Sequence, residues 1–259
     1  LADPVPSETV RGELGARIDA YLERLEAHGY SGTVLVADRE GIVLEKGYGF
    51  ADRERGIAAA PETVIPIGSI TKQFTGAAIL KLDLEGRLSV DDSLLDHFDD
   101  VPEDKAAITL HDLLIHGSGL RSDFGGDYDP IGREEYVRLA LESELLFEPG
   151  TGYEYSNAGY SLLAAVIEQL TGRTYEEYLR AELLLPAGLR DTGYLLPQFA
   201  DERLARGYDE NGLWGTLLER PMAPDGPYWA LRGNGGILST VGDMYRWHLA
   251  LCGDELFDS

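Results

Sequence analysis

The run Thr33-Val-Leu-Val-Ala37, the turn Asp38-Arg-Glu-Gly41 and the run Ile42-Val-Leu-Glu-Lys-Gly-Tyr48 read as two antiparallel strands joined as a hairpin. A lone hairpin is marginal in water and needs further strands, or a helix packed on its apolar face. A helix precedes it. Val10, Leu14, Ile18, Tyr21, Leu22 and Leu25 recur at helical spacing and Gly29 supplies the stop, which predicts an amphipathic helix from about Ser7 to His28. Further strands are not obvious. The sheet is therefore expected to be completed by segments beyond Ser259, with these residues the larger part of a longer protein; the alternative is a natural short form or a site completed by a partner.

After the hairpin the period turns helical. From about Gly68, residues Ile70, Phe74, Ala77, Ala78 and Leu82 share one side, with Gly86 beyond the last turn. Leu110 to Ile115 predicts a short helix broken by "HGSGL". Ser156 to Leu170 predicts a helix stopping at Gly172, and Thr174-Tyr-Glu-Glu177 is a capping box opening another that closes before Pro186. Loops rich in Gly, Pro and Asp fill 119–131 and 220–228. Gly233 to Thr240 then gives a turn and the entry to a last helix, Val241 to Leu251. No internal repeat is present.

Composition narrows the partners. Forty-six Asp and Glu against twenty-two Lys and Arg leave a net charge of −24, which repels nucleic-acid backbones and anionic membrane surfaces. No eighteen-residue apolar run suggests a membrane span. Cys252 is the only cysteine, so neither an intramolecular disulfide nor a thiolate metal cluster can form. The histidines lack metal-ligand spacing, and a metal-free, cofactor-free mechanism is expected. Compartment and oligomeric state leave no mark in the sequence.

Chemistry concentrates in "IGSITKQF". Ser69 and Lys72 stand three apart at a helix entrance, so both side chains lie on one face. A serine hydroxyl is a poor nucleophile until a base takes its proton, and a lysine serves only if desolvation or nearby positive charge lowers its pKa. The helix start also aims free N–H groups at the place where an oxyanion would form. The bland reading makes Ser69 a helix cap and Lys72 a solvated lysine. A second cluster, Tyr155-Ser-Asn157, offers a phenol able to carry protons and an amide able to hold a substrate oxygen.

Four stretches in order, "TVIPIGSITKQFTGAAILKLDLEGRLSVDDSL", "ITLHDLLIHGSGL", "FEPGTGYEYSNAGYSLLAAVIEQLTGRTYEEYLRAELLLPAGLRDTGY" and "GNGGILSTVGDMYRW", resemble the serine β-lactamase-related hydrolases. The resemblance is to the bacterial branch holding class C β-lactamases, D-Ala-D-Ala carboxypeptidases and β-lactamase-like carboxylesterases, and it runs from about Gly32 to the C-terminus. It implies an α+β fold, an antiparallel sheet flanked by helices plus a mostly helical part. Residues 1–60 and 230–259 would form the sheet-containing part, and 61–229 the helical part carrying Ser69 and Tyr155.

It also implies roles: Ser69 as acylated nucleophile, Lys72 as its proton partner, Tyr155 as general base and acid, Asn157 as substrate-binding group, and the Ser69 N–H as half of an oxyanion hole. His116 and Ser118 fall in a structural segment near the site. The family's third motif, a Lys or His followed by a small residue and Gly, is not found after Asp243; it would supply the second oxyanion donor, worth about 10²- to 10³-fold in rate. The expected activity is that of a carboxylesterase on small ester or amide substrates with possible β-lactam hydrolysis. The alternatives are a β-lactamase, a D-Ala-D-Ala carboxypeptidase, or a non-hydrolysing binding homologue.

Overall fold

In this computed structural model residues 8–253 and 256–257 are described. The chain opens with strand β1 (Thr9–Val10), helix α1 (Gly12–Glu26) and the hairpin β2 (Gly32–Asp38) and β3 (Gly41–Tyr48). The three strands form one antiparallel sheet in the order β1-β3-β2, with Val34 opposite Lys46 and Val10 opposite Leu44. The expected helix therefore starts late. Ser7 lies outside the described residues, and Thr9 and Val10 are extended because they pair with the outer edge of β3. The Arg11 amide extends that pairing to the Val43 carbonyl at 2.8 Å, and Gly12, at φ +66°, turns the chain into the helix.

Side-chain alternation gives the sheet its two faces. Val34, Val36, Leu44 and Tyr48 point to one side and pack against Ile18, Leu22 and Leu25 of α1. Lys46, on the same side, is held at 2.8 Å from Asp19. Leu35 and Ala37 point the other way, toward the last helix, α7 (Val241–Cys252), across a groove of about 700 Å³. Among the described residues no strand pairs with the outer edge of β2.

The structure adds strands that the sequence reading does not supply. β4 (Phe50–Asp52) pairs β5 (Ile57–Ala58), β6 (Ile65–Pro66) pairs β9 (Leu238–Ser239), and β7 (Gly207–Asp209) pairs β8 (Gly212–Gly215). Each holds two to four residues, too few to display an alternating pattern. The β6–β9 ladder matters most. It sets Ile65 opposite Ser239, and the Ile67 amide donates to the Ile237 carbonyl at 2.9 Å, so two segments far apart in sequence are fastened together.

The larger core is helical: α2 (Thr71–Leu84), α3 (Leu110–Leu114), α4 (Arg133–Glu142), α5 (Asn157–Thr171) and α6 (Tyr175–Leu179). Helix α5 is buried from Ala158 to Ile167 and forms the axis on which the others pack. Gly172 ends it in the left-handed conformation, and Thr174 and Glu177 close the capping box of α6, both as the sequence pattern predicts. Phe74 of α2 stacks on Trp247 of α7 with ring centroids 4.4 Å apart, joining α7 to this core. A fully buried ring of that size contributes about 1.5–3 kcal/mol.

Candidate active site

Ser69 lies in a 3₁₀ turn, Gly68–Ile70, that leads directly into α2. Its hydroxyl does not cap the helix, since neither the turn nor α2 has a side-chain cap bond at its N-terminus. Lys72 is not solvated either: it is only 7% exposed, while Ser69 is exposed. Both halves of the bland reading thus fail on geometry. Lys72 Nζ lies 3.3 Å from Ser69 Oγ, 2.6 Å from Asn157 Oδ1 and 2.9 Å from the Asn234 carbonyl. Burial lowers the lysine's pKa, outweighing the pull of the Tyr155 phenol and the Asp123 carboxylate toward the charged form.

The second cluster reaches the lysine from the entry of α5. Ser156 is its N-cap, accepting from the Gly159 amide at 3.1 Å and donating to the Arg121 carbonyl at 2.9 Å. That fixes Asn157 in the first turn and Tyr155 just before it. The Tyr155 ring centroid lies 4.8 Å from Lys72 Nζ. Burial raises its phenol, but hydrogen bonding with Lys72 and then Ser69, together with the lysine's charge, brings the net pKa below the usual phenol value. The sequence-predicted residues Ser69, Lys72, Tyr155 and Asn157 are thus brought together. An amine that yields its proton readily, between a hydroxyl and an easily ionised phenol, can move a proton off a serine oxygen.

Three supports complete the cluster: two, from Asn234 and Asp123, were not read from the sequence, and the third, His116, was read only as structural near the site. The Asn234 carbonyl, an acceptor for Lys72, sits in a loop braced on α2: Thr75 Oγ1 donates to the Gly233 carbonyl at 2.6 Å and Thr71 Oγ1 accepts from the Ile237 amide at 3.3 Å. Gly233 has φ +80°, and a Cβ there would meet Ala164 Cβ at 2.6 Å. Asp123 accepts from Asn157 Nδ2 at 3.2 Å and so fixes the amide with its oxygen toward the lysine. His116 accepts from the Ser156 amide at 3.1 Å through Nδ1. A backbone carbonyl leaves no mark in a sequence, but "GNGG" marked the loop. Ser118 is buried, accepts the Leu120 amide and bonds none of the cluster's residues. Among the described residues no three His, Cys, Asp or Glu side chains converge as metal ligands.

The sequence model of the Beta-lactamase family matches residues 16–258. The chain belongs to the Beta-lactamase family. Its members are serine hydrolases. The chain is 30% identical to the penicillin-binding protein PbpX of Bacillus subtilis over 93% of its own length, and spans 59% of that relative's length. In structure it is similar to FmtA from Staphylococcus aureus, with a TM-score of 0.81, 28% identity, and coverage of 98% of this chain and 71% of that one. It is also similar to the D-amino acid amidase of Ochrobactrum anthropi, with a TM-score of 0.77, 26% identity, and coverage of 96% and 73%. No helix among the described residues is long and apolar enough to cross a membrane.

Proposed function

We propose that the protein is a serine acyl hydrolase that forms and then hydrolyses an acyl-enzyme on Ser69. The observation that carries this reading is the burial of Lys72, with its pKa lowered, 3.3 Å from the exposed serine hydroxyl. Lys72 and Tyr155 take the serine proton as Oγ attacks a carbonyl. The phenol then returns a proton to the leaving group, and the reverse sequence admits water to release the acid. Asn157 holds the lysine through Oδ1 while its Nδ2 donates to Asp123, and the Ser69 amide at the head of the turn supplies one oxyanion donor. Chemically a helix-cap serine and a surface lysine require none of these arrangements.

The substrate class we favour is a small ester or amide, with carboxylesterase activity foremost. Ser69 is exposed, its exposed neighbour in sequence, Ile70, is apolar, and the exposed Tyr153 beside His116 is aromatic. A second reading, a penicillin-recognising D-Ala-D-Ala peptidase, is favoured by the likeness to PbpX. Hydrolysis of p-nitrophenyl acetate and butyrate, nitrocefin and a D-Ala-D-Ala peptide separates the two. The esterase reading expects turnover of the acetate that disappears in Ser69→Ala. Turnover of the peptide alone would replace it with the second reading, and acetate turnover undiminished in Ser69→Ala would sink both.

A further inference from the structure

We infer that His116 is a positioning residue that aims the Tyr155 phenol at Lys72 and Ser69. The inference rests on the reading of Tyr155 as the proton carrier of the proposed hydrolase. His116 follows α3 at φ +61°, a left-handed backbone that few non-glycine residues adopt. From there it grips the catalytic loop twice. Its main-chain carbonyl accepts the Glu154 amide at 3.0 Å, and its Nδ1 accepts the Ser156 amide at 3.1 Å. The two amides that flank Tyr155 are thereby tied to one residue.

Backbone ties alone leave a side chain free to rotate, and the imidazole removes that freedom. Its ring lies 4.5 Å from the Tyr155 ring, centroid to centroid, with the planes 33° apart. Behind it the Tyr160 ring lies 5.2 Å away and is itself anchored, since its hydroxyl donates to the Leu114 carbonyl at 2.9 Å. Tyr153 closes the edge at 5.8 Å. The imidazole is thus a wedge between α5 and the loop, and Tyr155 is pressed toward Lys72.

Because Nδ1 receives an N–H, the ring proton resides on Nε2 and the imidazole is neutral. Burial, then the charge of Lys72, hold its pKa below the ordinary histidine value, which keeps that acceptor available. The rings facing the imidazole are Tyr160 from α5 and Tyr153 and Tyr155 from the loop, and Lys72 from α2, which sits over the Tyr155 and Tyr160 rings, acts on it through its charge. Among the described residues no carboxylate pairs with it. A residue needed only to turn the chain after α3 would do as well as glycine or asparagine, neither of which carries a ring or holds the Tyr155 side chain.

The test uses the full chain and p-nitrophenyl acetate. His116→Phe keeps a ring and loses the acceptor; His116→Asn keeps an acceptor near the Nδ1 position, tolerates the left-handed backbone and loses the ring. Each is expected to lower kcat about 10- to 100-fold, the scale of a misplacement near 1 Å, with KM changed by less than about threefold. In a Tyr155→Phe background both substitutions are expected to have no further effect, a coupling that a merely structural role would not produce. His116 effects that multiply in full on top of Tyr155→Phe would overturn the inference. A dead Tyr155→Phe beside fully active His116 variants would overturn it alone. A Tyr155→Phe with wild-type kcat would remove the reading of Tyr155 itself, and this inference with it.

Discussion

Gly233→Ala tests how tightly the lysine's backbone acceptor is held. At φ +80° an alanine pays a left-handed penalty of about 1–2 kcal/mol. The new Cβ would also sit 2.6 Å from Ala164 Cβ and 2.7 Å from the Tyr160 carbonyl oxygen, well inside normal contact. Relieving such overpacking typically costs about 1–3 kcal/mol more. The sum, about 2–5 kcal/mol, lowers Tm by roughly 10 °C in a chain of this size. The loop must move, and its neighbours feel it: the Gly233 amide donates to the Tyr194 hydroxyl at 3.0 Å, and the next residue carries the carbonyl 2.9 Å from Lys72. Acylation of Ser69 should slow about 10- to 100-fold as that acceptor shifts. Thermal unfolding and the rate of covalent labelling by a fluorophosphonate measure the two effects. A variant with Tm within about 2 °C of the parent and an unchanged labelling rate would refute the argument.

Other substitutions read the electrostatics. Asp123 raises the pKa of both Lys72 and Tyr155 through its charge, so Asp123→Asn should move the rising limb of the kcat/KM profile to lower pH; a fall in plateau with no shift would show that only geometry was disturbed. The folded-state pKa of Lys72 is lowered from the ordinary 10.5, so between the two values the unfolded chain binds the extra proton. Stability from this group is full above that window and is lost as pH falls through the folded value. Urea unfolding across alkaline pH should therefore show a rise in the parent that Lys72→Met lacks; equal slopes would contradict the burial account. Lys72→Met should also lower the acylation rate about 10²- to 10⁴-fold, the usual worth of a positioned proton carrier.

Much of this site was legible because its chemistry has a fixed local geometry. A serine and a lysine one turn apart share a helix face whatever the rest of the chain does, and Tyr155 and Asn157 stand two residues apart at the entry of a helix that its period makes readable. Helices α2, α5 and α6 were readable from period, cap and stop for the same reason. What could not be read depends on distant partners. The pairing of Ile65 with Ser239 and of Val10 with Leu44 joins segments with no sequence relation, and strands of two residues carry no period. Arg11 and Gly12 illustrate the cost: helical spacing continued through Val10, but β3 offered its edge and the strand won. The grip of His116 on the residues flanking Tyr155 was hidden too, since a single histidine carries no pattern and its conformation is set by the loop it holds.

The central claim is that the partly desolvated amine of Lys72 makes Ser69 a nucleophile. Labelling with a fluorophosphonate, followed by peptide mass spectrometry and repeated on Ser69→Ala and Lys72→Met, tests it most directly. The account predicts one adduct, on the peptide holding Ser69, absent in Ser69→Ala and formed at least about 100-fold more slowly in Lys72→Met. An adduct on another residue, or Lys72→Met labelling at the parent rate, would contradict it.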